Sequence, residues 1–129
     1  MNCSSEIAVK TPQSARILIV EDEPLVAEDL RTVLVDAGFE IAGVAARVAT
    51  ALSLIETVAC DAAIVDANLA GASASPVAAV LSARGLPFIV LSGYTREQLQ
   101  SEFSEGFFIE KPYRLTEVID SLSTILPKR

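Results

Sequence analysis

The chain has 129 residues, 51% of them hydrophobic and 21% charged, with a net charge of −7 and no histidine. That length makes one domain able to bury its own core. The acidic balance argues against a face for nucleic acid or an anionic membrane, and the missing histidine excludes histidine catalysis, histidine metal ligands and a phosphohistidine carried here.

Cys3 and Cys60 form no metal or redox spacing and read as ordinary reduced thiols. No apolar run approaches the roughly 18 residues of a membrane helix. The N-terminus lacks a basic stretch followed by an apolar one, so it does not read as a secretory signal. A cytoplasmic location is the expectation.

Residues 1–14 mix Ser, Thr, Pro and Gln and read as a disordered tail, leaving residues 15–127 as the domain. Arg16 to Val20 reads as a first strand, apolar as a strand covered on both faces should be. Glu21, Asp22 and Glu23 follow, then Pro24 as a helix opener. Val26, Leu30, Val33 and Ala37 recur at helical spacing up to a stop at Gly38. Glu40 to Ala45 makes strand two, and Val48, Ala51, Leu52 and Ile55 mark the second helix.

Ala62 to Val65 makes strand three and delivers Asp66. A loop runs from Asn68 to Ser75, where Ser75-Pro76 supplies a cap and a first-position proline for a third helix carrying Val77, Val80 and Leu81. Pro87 to Leu91 is strand four. Thr95 and Gln98 have capping-box spacing for a short fourth helix through about Phe103. Gly106 to Glu110 is strand five, and Leu115, Val118, Ile119, Leu122 and Leu126 stripe the last helix. Five strands alternating with five helices predict an α/β fold, a parallel sheet with helices on both faces. No linker to a second domain and no attached output module are expected.

Four of these apolar runs end in polar residues: Glu21-Asp22, Asp66, Ser92 and Lys111. In an open α/β sheet, ligands collect beyond the carboxyl ends of the strands. Singly, each residue has an ordinary reading: a loop carboxylate or cap at Asp66, favourable charge at a helix start for Glu21 to Glu23, turns at Ser92-Gly93 and Lys111-Pro112. Together they form a specific pattern. Three carboxylates against one ammonium leave about two negative charges in a small volume, which calls for a hard cation such as Mg²⁺, with Mn²⁺ as the alternative. That charge compensation suits a phosphoryl group arriving at Asp66 as nucleophile, with Lys111 and the Ser92 hydroxyl as partners.

Ile19-Val20-Glu21-Asp22-Glu23-Pro24, Val65-Asp66, Leu91-Ser92-Gly93 and Glu110-Lys111-Pro112 resemble the receiver domain of bacterial two-component response regulators over roughly residues 15–127. The stretches Asp66 to Gly71, Ser75 to Ala78, Arg84 to Phe88 and Ser92 to Tyr94 resemble a narrower, single-domain group whose fourth strand ends in a Phe-Ala-Thr-Gly-X-Tyr motif. Here Val90-Leu91-Ser92 stands in place of Phe-Ala-Thr, and Tyr94 directly follows Gly93.

The resemblance implies a flavodoxin-like (βα)5 sheet in strand order 2-1-3-4-5. It implies Asp66 as phosphoacceptor, with metal held by Asp22, Asp66 and the Asn68 backbone carbonyl, and by Glu21 through water. Ser92 is then the switch hydroxyl, Lys111 the phosphate-binding lysine before a cis bond to Pro112, and Phe108 the aromatic that moves into space vacated by Ser92. Asn68 and Tyr94 would flank the phosphoryl group and hinder attacking water. The implied partners are a sensor histidine kinase and a histidine phosphotransferase or downstream protein, met through the fourth helix, strand five and fifth helix. The chain is then a shuttle, sink or switch that assists its own phosphorylation and is not an enzyme. The alternatives are a degenerate receiver acting as a binding module and a haloacid-dehalogenase-type phosphatase; Asn68, where the latter carries an acid, speaks against it.

Overall fold

The computed structural model describes residues 15–127; the tail predicted for residues 1–14 lies outside them. Five strands form one parallel sheet: β1 (Arg16–Val20), β2 (Glu40–Ala45), β3 (Ala62–Asp66), β4 (Phe88–Ser92) and β5 (Phe107–Glu110). Their order is β2-β1-β3-β4-β5, as the resemblance implies. Four α-helices connect and cover them: α1 (Pro24–Asp36), α2 (Val48–Thr57), α3 (Ser75–Ala83) and α4 (Leu115–Ile125).

The period of two along each strand divides the core. Ile17, Ile19, Ile64, Ile89, Leu91 and Ile109 meet Leu30 and Leu34 of α1 and Val118 and Leu122 of α4 on one face. Leu18, Val20, Val65, Phe88 and Val90 meet Ala51 and Ile55 of α2 and Val77 and Leu81 of α3 on the other. The three central strands are buried on both faces, which is why they read as unbroken apolar runs rather than alternating ones. At Gly106, just before β5, an added Cβ would lie 2.5 Å from Val90 Cγ2 and 2.6 Å from Phe88 Cε2. Only a residue without a side chain lets this backbone reach the sheet.

Four expectations are corrected. The fourth helix, predicted from Thr95 through Phe103, does not form. Its place is taken by two 3₁₀ turns, Arg96–Gln98 and Ser101–Phe103, separated by an extended Leu99 and Gln100. The capping bond itself is present, with the Thr95 N–H donating to Gln98 Oε1 at 2.9 Å, so local chemistry started a turn that tertiary contacts stopped. The loop after β3 contains a two-residue-per-strand antiparallel hairpin, Asn68–Leu69 with Ala72–Ser73. Its tip, Ala70 (φ 53) and Gly71 (φ 91), has positive φ at both central positions, as the hairpin twist requires. Ala70 carries a Cβ in that conformation, so no Asn-Gly or Asp-Gly signal announced the turn. Ser75 is the first residue of α3 rather than its cap; the Ser73 hydroxyl accepts its N–H at 3.1 Å. The buried stripe of α1 is Ala27, Leu30 and Leu34; Val33 is half-buried, and Val26 and Ala37 pack half-buried against the same core.

Candidate functional site

The carboxyl ends of the strands open into one cleft of about 790 Å³. Backbone bonds at the strand ends set its shape. The Glu21 N–H donates to the Ala45 carbonyl at 2.9 Å, the Ala67 N–H to that of Leu91 at 2.9 Å, and the Lys111 N–H to that of Ser92 at 2.7 Å. The sheet therefore carries the predicted side chains to the rim: Glu21 and Asp22 from β1, Asp66 from β3, Ser92 from β4 and Lys111 from β5. Asn68, Tyr94 and Pro112 line the same cleft, and the Lys111–Pro112 bond is cis.

Asp66 is buried, and both its oxygens are engaged. Oδ2 accepts from Lys111 Nζ at 2.8 Å, and Oδ1 accepts the Asn68 N–H at 3.0 Å. Ser92 is buried, with its hydroxyl oxygen accepting the Tyr94 N–H at 2.9 Å. The Asn68 side chain closes the hairpin tip, its Oδ1 accepting the Gly71 N–H at 2.8 Å.

Glu21 is buried as well. Its Oε2 accepts the Glu23 N–H at 3.1 Å, while Oε1 has no protein partner. Burial pushes its carboxyl up to about 7, opposed by the Glu23 N–H and reinforced by the negative charge of Asp66. One oxygen each from Glu21, Asp22 and Asp66 lie within 4.8 Å of one another. A buried, unpartnered carboxylate oxygen beside two more carboxylates is a donor set for a hard divalent cation, and the residues fit Mg²⁺.

Two predicted or unpredicted aromatics complete the picture. Phe108 is half-buried and lies outside the cleft, in a separate cavity of about 140 Å³ beneath the two 3₁₀ turns. The Arg96 guanidinium covers its ring at 5.6 Å from the centroid. Tyr113 lines the cleft and was not anticipated. Burial, then the charges of Glu21, Asp66 and Asp29, push its hydroxyl up to about 12 and keep it neutral. Its place directly after Lys111-Pro112 was the available signal, since the loop leaving β5 must pass the rim.

A doubly wound α/β domain with an acidic, lysine-closed cleft at the carboxyl ends of its strands has the architecture of a signalling receiver. The chain belongs to the response regulator receiver domain family, whose model matches residues 17–123. It is 28% identical over 111 residues to the transcriptional regulatory protein PdtaR of Mycobacterium tuberculosis, a match covering 83% of this chain and 54% of that protein. The chain thus spans about half the length of the curated relatives it matches. The solution structure of SdrG from Sphingomonas melonis Fr1 superposes with a TM-score of 0.72 at 37% identity, over 86% of this chain and 95% of that one. The response regulator TrrA from Thermotoga maritima, in complex with Mg²⁺ and BeF, gives a TM-score of 0.76 at 25% identity, over 87% and 99% of the two chains. Receiver domains act in two-component signalling and bind Mg²⁺ at an acidic pocket, here the cluster Glu21, Asp22 and Asp66. Among the described residues, no helix is long and apolar enough to cross a membrane.

Proposed function

We propose that this chain accepts a phosphoryl group on Asp66 from the phosphohistidine of a sensor kinase or histidine phosphotransferase in the cytoplasm, and passes the change to a protein partner. The observation that carries this reading is the Asp66 carboxylate, buried at the end of β3 with Oδ2 paired to Lys111 Nζ at 2.8 Å beside Glu21 and Asp22. In the transfer, an Asp66 oxygen forms the new O–P bond as the donor's N–P bond breaks, its electron pair returning to the imidazole nitrogen. Such a transfer asks the protein for position and charge compensation more than covalent chemistry. Lys111 is held by its backbone bond to Ser92 so that its ammonium meets the incoming phosphoryl oxygens. Ser92 has a hydroxyl proton to donate to the same oxygens, as its oxygen only accepts from Tyr94. Asp22, Asp66 and the Asn68 carbonyl would hold Mg²⁺, with Glu21 through water, and the ion supplies positive charge against the transferred group. The chain assists this transfer without turning over a substrate of its own.

Fluorine NMR with Mg²⁺ and beryllofluoride, beside an Asp66→Asn control, tests the reading. The expected result is bound fluorine signals that need both Mg²⁺ and Asp66. No bound signal in folded protein overturns it in favour of a binding module independent of phosphorylation, and turnover of phosphate monoesters by the wild type overturns it in favour of a phosphatase.

A further inference from the structure

Residues 96–104, Arg-Glu-Gln-Leu-Gln-Ser-Glu-Phe-Ser, contain no glycine, proline or β-branched residue, and Gln98 Oε1 accepts the Thr95 N–H at their start. Yet each 3₁₀ turn closes only on itself. The Gln98 N–H donates to the Thr95 carbonyl at 3.0 Å, Leu99 to Arg96 at 3.2 Å, Phe103 to Gln100 at 3.0 Å and Ser104 to Ser101 at 3.0 Å. The joint is extended, with ψ 157 at Leu99 and ψ 154 at Gln100. A segment whose local preference contradicts its conformation is held by contacts from elsewhere.

Those contacts are identifiable. Arg96 reaches the far end of its own segment, donating to the Ser104 carbonyl at 3.3 Å and the Gly106 carbonyl at 3.5 Å. At the joint, the Ser73 hydroxyl donates to Gln100 Oε1 at 3.0 Å. Ser73 is the hairpin residue paired with Asn68, whose N–H is bonded to Asp66 Oδ1. An unbroken set of bonds thus runs from the phosphoacceptor through the hairpin to the break in the segment. A continuous helix requires Leu99 and Gln100 to turn from these extended values to ψ near −42°, which re-aims the Gln100 side chain. The bond as it stands belongs to the extended joint, and the cavity lined by Leu99, Phe103 and Phe108 leaves room for repacking.

We propose that Thr95–Ser104 is a two-state segment whose broken form is clasped by the Ser73–Gln100 hydrogen bond, and that occupancy of Asp66 opens the clasp through the hairpin so that the segment closes into one helix. The link to Asp66 rests on the function proposed above; the clasp itself does not.

Amide exchange and Cα chemical shifts of the intact chain test both parts. Gln100→Ala is expected to give continuous helical shifts across residues 96–103 and about tenfold slower exchange at residues 100–102. Gln100→Glu keeps an acceptor for Ser73 and is expected to retain the broken form. Glu102→Ala raises helix propensity as Gln100→Ala does but spares the clasp, so it too is expected to stay broken. A broken segment in Gln100→Ala, or a closed one in Glu102→Ala, overturns the clasp. Wild type with Mg²⁺ and beryllofluoride is expected to show the closed form. Bound fluorine with a still-broken segment overturns the link to Asp66. If fluorine does not bind at all, the phosphoacceptor reading fails and the link with it, while the three variants still decide the clasp.

Discussion

The cleft and the segment that follows β4 begin at the same residue, Ser92, and are built on opposite principles. In the cleft, each side chain stands at the end of a strand of the sheet, and its position follows from the register. In Thr95–Ser104, local preference points to a helix and two long-range ties decide otherwise. A receiver needs both kinds of construction: a rigid frame to place reacting groups, and an element near balance that a small change can tip.

The largest expected effect removes the support the two regions share. Gly106→Val places a side chain where Val90 and Phe88 already stand, and should destabilise the fold by about 2–3 kcal/mol in urea unfolding. A change of less than half that would mean the backbone before β5 can back away from the sheet. Glu21→Gln separates the regions instead. It keeps the shape of a buried, partly unpartnered carboxyl but removes its charge, so Mg²⁺ affinity measured by titration should fall about tenfold or more. Exchange rates across Thr95–Ser104 without metal should not move.

The pH dependence of the metal-free protein sharpens the cleft side further. Glu21 is raised from 4.5 to about 7 on folding, so between those values the native state holds a proton that the unfolded chain has released. Its contribution is fully present below pH 4.5 and is lost as pH rises to about 7. In Glu21→Gln, the fall in unfolding free energy over this window should be visibly smaller, and saturating Mg²⁺ should flatten it in the wild type.

These contrasts explain what the sequence disclosed. Strand ends were legible because burial on both faces forces an apolar run, and the polar residue that ends such a run has one place to go. Glu21, Asp22, Asp66 and Ser92 converge for that reason, and Lys111 joins them from β5, a partly exposed edge strand. The fourth helix was misread because Arg96 and Gln100 are ordinary helix formers until Gly106 and Ser73 are brought beside them, and pairs 10 and 27 residues apart leave no periodic trace. The hairpin after Asp66 escaped notice because each strand is two residues long and its tip begins with alanine.

That alanine supplies a smaller test on the element joining the two regions. Ala70→Gly removes a Cβ from a left-handed backbone and should stabilise the protein by about 0.5–1 kcal/mol, read as a higher melting temperature. A loss of stability would show that the tip relaxes around Ala70 at no cost. Smallest is the effect at the border itself. Tyr94, exposed at the cleft rim, shields the acyl phosphate under the proposed function, and Tyr94→Ala should shorten its half-life about threefold. An unchanged half-life removes Tyr94 from that role.

Gly106 has a mechanical meaning as well. Bringing Leu99 and Gln100 from an extended rise to a helical one shortens the segment by about 4 Å. At its far end the chain lies against Phe88 and Val90, too close for a Cβ at Gly106. With that contact kept, the slack is drawn from the near end, through Gly93 and Tyr94. Under the proposed switch, closing the helix would draw the rim of the cleft toward strand β5, and the same segment would then bear on how long water is kept from the phosphoryl group.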